Sequence, residues 1–537
     1  MNKLNTNLNR LLIVVFFFSV FTLNCRAQFS MGEAERKIAT AFMLIDKMYV
    51  DKIDADKLSD DAITALLSEL DPHSSYIKAS ELKEMNEPLE GNFDGIGVTF
   101  NMATDTLFII ETIAGGPSEK IGILPGDKII LVNDTLIAGV KMPTRDVMKR
   151  LRGPKGTAVN VKIQRRGIKD LLNFRIVRDK IPIHSLNASY MIDNQTGYIS
   201  LVRFGATTYQ EFKEALARLQ NQGMKNLILD LQSNGGGYLS AAIDLTNEFL
   251  GKDKLIVYTE GANQPRFSEK SKSNGMFENG KVVILVNETS ASASEILSGA
   301  IQDWDRGVIV GRRTFGKGLV QRQLPLPGGS AMRLTVARYY TPTGRSIQKP
   351  YTNGDKDSYD KDLIARYNHG EMMSADSIHF PDSLKYRTLI NDRIVYGGGG
   401  IMPDYFVPLD TLTDFHREVW GKGLFNEISM ANIEGKRNEM KKQYPTVESF
   451  KNNFVVGDDI MSRLLEMAKR ENIEFKEGQY NVSKKLMALQ IKALMAQFLF
   501  NSEAYTRIIN DESPIYQKGV EIINDDQQYK TLLSGKK

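Results

Sequence analysis

The sequence predicts a multidomain α/β protein, on three observations. Between residues 180 and 410, β-branched runs alternate with stretches of helical periodicity, the pattern of a layered α/β core. Ahead of it, residues 92–179 hold short strands punctuated by glycine turns, the pattern of a separate β-rich domain. On either side, residues 28–91 and 411–537 carry apolar residues at helical spacing. At roughly 150 residues per domain, 537 residues leave room for three or four such units.

Residues 1–27 read as an export signal. Lys3 and Arg10 precede an apolar run of 13 residues, Leu11 to Leu23, which is short for a membrane span. Cys25-Arg26-Ala27 then puts small residues where a signal peptidase reads, and Gln28 would begin the mature chain. Cys25, the only cysteine, has a second reading as a lipid-attachment site, for which Thr22 and Asn24 are poor neighbours. Cleavage after Ala27 would leave an exported protein of the periplasm or cell envelope, with no integral span. That protein would have no disulfide, thiolate nucleophile or cysteine–zinc site. The leader holds three cations (Lys3, Arg10, Arg26) and no acid, so its loss takes the net charge from +4 to +1. Nothing then argues for nucleic acid as a partner.

Two helices are expected next, Glu33 to Tyr49 and Leu58 to Leu70, and Asp71-Pro72-His73-Ser74 ends the second. His73 reads as a turn residue with no partner nearby. In the β-rich domain, Gly95-Ile-Gly-Val-Thr-Phe and Leu107 to Ile113 read as strands, and Pro117 to Ile123 as a short helix. Leu124-Pro-Gly-Asp leads into another strand, Thr144 to Leu151 is a helix, and Val159 to Ile163 a strand. This order resembles a PDZ domain. The resemblance implies that a chain terminus is captured at a sheet edge, its carboxylate held at the loop of Asp94, Gly95, Ile96 and Gly97. The alternative is a small interaction domain with no preference for a terminus.

In the core, Lys281 to Asn287 is a buried strand, and Ile296, Leu297, Ala300 and Ile301 mark a helix. The hydroxyl-rich turn between them places a serine where the unpaired N–H groups of a helix start converge. Such donors suit an oxyanion, although helix capping alone also explains a serine there. The glycine turn Asn234-Gly-Gly-Gly is a second place where a substrate can approach the main chain. A nucleophilic serine needs a base. None of the five histidines lies near this stretch of sequence, whereas Lys317 sits between two glycines, with Phe315 and Leu319 to dry it and Gln321 to hold its amine. A free lysine, with a pKa of about 10.4, is under roughly 0.1% neutral at pH 7. Bringing it to about 7.5 takes about 4 kcal/mol of desolvation, within reach of burial. Gly311 to Gly318 is not a phosphate loop, since Gly318 stands where a magnesium-binding hydroxyl would be. No metal or cofactor is expected.

Ser290-Ala-Ser-Ala-Ser-Glu295, with Phe315-Gly-Lys-Gly and Gln321, resembles the tail-specific (carboxyl-terminal processing) serine protease family. The resemblance runs from about residue 30 to 410, including Leu70-Asp-Pro-His-Ser74 and Gly400-Ile-Met-Pro-Asp404. It implies a crotonase- or ClpP-like α/β protease core with an inserted PDZ-like domain. It implies Ser292 as nucleophile, Lys317 as base and Gln321 as the residue that orients the lysine. The oxyanion hole would come from the N–H of Ala293 and the Gly235–Gly236 turn. Asp303 matches an aspartate some members use, though a helix-end aspartate usually faces water. Gln232 departs from the arginine frequent in relatives. Arg152, in the turn after the PDZ-like helix, is a candidate relay residue.

The expected activity is endoproteolysis of protein or peptide substrates with a free carboxyl terminus, through an acyl-enzyme. The rival is a peptide-binding protein with a dead core. Residues 351–392 read as a polar, irregular surface insertion. The helical tail from 411 carries no chemistry and would serve dimerisation or an adaptor.

Overall fold

The computed structural model describes residues 32–102, 105–410 and 412–535. The expected leader, Cys25 included, lies outside them. The described residues up to Leu66 form a unit of their own, made of the helix Glu33–Met48 and most of the helix Ala55–Ser68. The first of these buries none of its residues.

The remaining chain is built on a six-stranded sheet. Its strand order is Leu186–Met191, Thr196–Leu201, Asn226–Asp230, Val282–Val286, Val308–Gly311 and Tyr405–Phe406. The first pair is antiparallel and the rest are parallel. Successive residues of a strand face opposite sides, and here both sides are covered. Leu227, Leu229, Val282, Ile284 and Ile309 face a core packed by the helices Thr208–Asn221, Leu239–Asn247 and Ala293–Asp303. Ile228, Val283, Leu285, Val308 and Val310 face a second core that includes Ile515, Ile522 and Ile523. That is why the 282–286 run is apolar without alternation. The second cover comes from the end of the chain, the helices Pro514–Asn524 and Asp526–Ser534. The tail, expected to serve dimerisation or an adaptor, thus covers the sheet of its own chain.

A second, antiparallel sheet joins Ser75–Ile77, Ala331–Tyr340, Leu255–Gly261 and Gln264–Lys270, with Leu319–Pro325 also paired to Ala331–Tyr340. It carries the residues that follow Lys317. The PDZ-like part is a sheet of Val98–Asn101, Leu107–Thr112, Lys128–Val132, Ala158–Gln164 and Leu172–Val177, with the helix Thr144–Leu151 and its own apolar core. The chain enters and leaves it through one ladder, Asn92–Gly95 against Asp179–Pro182.

The stretch 351–392 is not irregular. It contains the helix Lys356–Asn368, capped by the Asp355 side chain, and the hairpin Lys385–Arg387 with Ile394–Tyr396. From Asp414 to Ile509 the chain forms a helical bundle whose apolar core also takes in Ile110 of the PDZ-like sheet. Among the described residues, no helix is long and apolar enough to cross a membrane.

Candidate active site

Ser292 stands at the N-terminus of the helix Ala293–Asp303 with φ of 57° and ψ of −111°, a backbone conformation that costs a non-glycine residue energy. The strand Val282–Val286 below it and the helix after it hold that turn from both ends. Gly236 presses against it from the facing glycine turn. Gly236 has a φ of 96°, and a Cβ there would come within 2.8 Å of Ser292 Cβ and 2.7 Å of Ala291 O. Asn234 clips the two turns together. Its carbonyl accepts from Ala291 N at 3.0 Å and from Ser294 Oγ at 2.9 Å.

Lys317 reaches the same cavity, of about 520 Å³, whose wall also includes Ser292, Ala293, Gly235, Gly236 and Gln321. Lys317 Nζ donates to Gln321 Oε1 at 3.3 Å, and Gln321 Nε2 donates to His73 O at 2.7 Å. Burial pushes the lysine below its ordinary range, and the charge of Arg333 adds to this, while Glu295 and Asp71 oppose it.

The serine and lysine turns share two clamps. Glu295 is fully buried. Its Oε2 accepts from Ser292 N at 2.7 Å and Lys317 N at 2.9 Å, and its Oε1 from Gly316 N at 2.7 Å and Thr314 Oγ1 at 2.5 Å. Burial pushes this carboxyl up to about 7, against those four hydrogen bonds. The Tyr339 hydroxyl lies 3.1 Å from Ser292 O and 2.5 Å from Lys317 O. The lysine turn is braced from outside as well. Arg366 donates to Thr314 O at 2.9 Å and to Phe315 O at 3.0 Å. Lys349 N donates to Gly316 O at 2.9 Å, with its amine over the rings of Phe315 and Tyr359.

Of the expected oxyanion donors, Gly236 N is already given to Asn234 Oδ1 at 2.9 Å. Among the described residues, the N–H groups of Ala293 and Gly235 have no acceptor. His73 does have partners. Its Nε2 is 2.9 Å from the Tyr359 hydroxyl, and burial holds its imidazole at about 4, so it is neutral near pH 7. Asp303 does not face water. It is fully buried and paired with Arg345 at 2.7 Å, and it accepts from Thr343 N and Oγ1. Gln232 is bound to Asp230 beneath the glycine turn, through its N at 2.8 Å and its Nε2 at 3.1 Å.

The PDZ-like positions lie elsewhere. Asp94 and Gly95 belong to the entry strand, paired with Lys180 and Asp179, so the expected loop is confined to Ile96 and Gly97. Ile96 is buried in the PDZ-like core, and its carbonyl accepts from Ser118 N and Oγ. Gly97 has a φ of 73°. Arg152 does not line the Ser292 cavity. It pairs with Glu87 at 2.8 Å and covers the Phe93 ring. Glu87 belongs to the helix Ala79–Glu90, which sends Asn86 and Leu89 to that cavity.

Comparison with known proteins gives the class first. A model of peptidase family S41 matches residues 195–357, and a PDZ domain model matches 84–164. The N-terminal domain model of the activating protease CtpB matches 23–81, and a family of unknown function matches 415–501. A carboxy-terminal-processing protease of Bartonella bacilliformis is 37% identical over 314 residues, 57% of this chain and 71% of its own length. The carboxy-terminal processing protease CtpB of Bacillus subtilis is 35% identical over 323 residues, 59% of this chain and 66% of its own length. The solved photosystem II D1 C-terminal processing protease is 29% identical, with 59% of this chain and 91% of that one covered and a TM-score of 0.34. The chain belongs to the carboxy-terminal-processing serine protease family and carries a PDZ domain.

Proposed function

We propose that this protein is an exported endopeptidase that cuts with a Ser292–Lys317 dyad through an acyl-enzyme. The observation that carries the reading is a buried lysine, its proton affinity lowered by desolvation, on the wall of the same cavity as a serine at a helix N-terminus.

Neutral Lys317 takes the proton from Ser292 Oγ as that oxygen attacks the substrate carbonyl. The negative charge forming on the carbonyl oxygen meets the N–H groups of Ala293 and Gly235. Collapse breaks the C–N bond, and the departing amine takes the proton from Lys317. Water then attacks the ester, again with Lys317 as base, and frees Ser292 and the new carboxyl terminus. Gln321 holds the amine in place by a hydrogen bond and is itself held by the His73 carbonyl. The PDZ domain would bring in substrates by a free carboxyl terminus near Ile96 and Gly97.

Cleavage of an unfolded protein by wild type, Ser292→Ala and Lys317→Ala tests the dyad. Both variants are expected to lose at least roughly 10³-fold in kcat, as for the removal of a nucleophile or its base. Undiminished activity in either rejects it.

A further inference from the structure

The cavity that holds Ser292 and Lys317 contains one more charged side chain, Arg333. It comes from the strand Ala331–Tyr340, where it lies opposite Gln323. It is half-buried, and among the described residues no carboxylate pairs with it. Four other arginines of this region are engaged, Arg312 with Glu288, Arg313 with Glu371, Arg345 with Asp303, and Arg366 with Asp362. Arg322 and Arg338 of the same two strands are unpaired among the described residues but do not line the cavity. Among the described residues, no acidic side chain lines the cavity. Arg333 shares the cavity wall with Lys317, and its charge helps to lower the proton affinity of the lysine.

Register sets the backbone position of Arg333 relative to the residue that holds the lysine. Gln321, which holds the Lys317 amine, pairs with Thr335, and Gln323, two residues on, pairs with Arg333. Two strand residues span about 7 Å, the length of about two residues of an extended substrate. A planar guanidinium with free N–H groups, partly out of water and facing no anion, fits a carboxylate in bidentate fashion.

We propose that Arg333 reads a carboxylate on the substrate, about two residues from the bond that is cut. The inference rests on Ser292 and Lys317 being the reacting pair. The carboxylate has two chemical sources, an Asp or Glu side chain or a free terminal carboxylate, and the test separates them.

The probes are peptides of one parent sequence cleaved at one bond. In the first set the terminus is amidated, and glutamate or glutamine is placed in turn at each of three positions on either side of the bond. In the second set every such residue is glutamine, and a free terminus ends two residues past the bond, with its amide as control. Wild type is expected to cleave one acidic member at least tenfold better in kcat/KM than its neutral match. In Arg333→Gln that ratio falls to near one, and Arg333→Lys keeps part of it. A ratio measured at one pH is insensitive to any change in Lys317 protonation that the two peptides share. A preference in the first set names a side chain as the source, and one in the second names the terminus. No preference in wild type, or the same preference in Arg333→Gln, overturns the proposal. Labelling by a fluorophosphonate is read in parallel. Wild type that never labels at Ser292 rejects the dyad, whereas labelled protein with flat ratios rejects the role of Arg333 alone.

Discussion

Glu295 accepts four hydrogen bonds on two oxygens, from the backbone of Ser292, Gly316 and Lys317 and the hydroxyl of Thr314. An amide there would aim its own donors at two of those groups. Glu295→Gln is therefore expected to destabilise the fold by about 1–3 kcal/mol in urea unfolding. A shift of about 1 Å between serine and lysine would lower kcat on the order of 10²-fold. Wild-type stability in Glu295→Gln, with full activity, would remove the clamp from the account. The pH dependence has opposite signs for the two properties. On the proposed dyad, Lys317 acts while neutral and Glu295 clamps while ionised, so kcat/KM is expected to fall as pH drops through about 7, where Glu295 takes up a proton. For stability, the folded value of Glu295 lies above its ordinary 4.5. Its contribution is complete below about 4.5 and is lost as pH rises through about 7. His73, held at about 4, acts the other way, since its contribution is lost as pH falls from 6.5 through that value. The Glu295 part is read as the difference between wild type and Glu295→Gln across pH 4–8.

At the scale of elements, the strands and helices that carry Ser292, Gly235 and Lys317 were legible because both are locally encoded. A β-branched run makes the strand Val282–Val286, and helical spacing makes the helix Ala293–Asp303. Glu295 is legible too, as the fourth residue of a Ser-x-x-Glu capping box, but its bonds to Thr314, Gly316 and Lys317 are not, because they come from a distant turn. The rest of the site is built from long-range contacts, which local pattern does not encode. Tyr339 lies 47 positions from the Ser292 carbonyl that it bonds. Gln321 is 248 positions from the His73 carbonyl that holds it. Asp303 looked like a surface residue because its partner Arg345 comes from a distant loop. The helix Lys356–Asn368 was missed because its charged sequence shows no apolar stripe. It is held instead by ion pairs, Asp362 to Lys349 and to Arg366 at 2.9 Å each. Through Arg366 this helix fixes the two carbonyls ahead of Gly316-Lys317. Arg366→Met is expected to slow fluorophosphonate labelling of Ser292 by about tenfold or more, since it frees the lysine turn. Arg366→Lys, which keeps one donor, is expected to recover part of the rate. Equal labelling in all three proteins would make the helix a passive cover.

At the scale of the molecule, the chain beyond Asp414 does two separate jobs. Its bundle packs on the PDZ domain through Ile110 and reaches that sheet again at Glu434, paired with Lys128 at 3.6 Å. Its last helices close the far face of the protease sheet, where Gly519 lies so near Leu285 that a Cβ would come within 2.7 Å of it. Lys281, next to the Val282 strand, also donates to Ile523 O at 2.7 Å, and the Tyr529 hydroxyl accepts from Val282 N. A parallel sheet with one face stripped exposes unbroken apolar strands to water. Each fully exposed Val, Leu or Ile costs about 1.5–3 kcal/mol, so uncovering Ile228, Val283, Leu285, Val308 and Val310 costs as much as the whole stability of an ordinary domain. A chain ending before Pro514 is therefore expected to aggregate or unfold, as read by solubility and circular dichroism. Ile522→Asp, which leaves the length intact but buries a charge in that face, is expected to do the same in milder form. A soluble, active protein lacking residues 514–537 would mean that the far face of the sheet is covered by something other than its own chain.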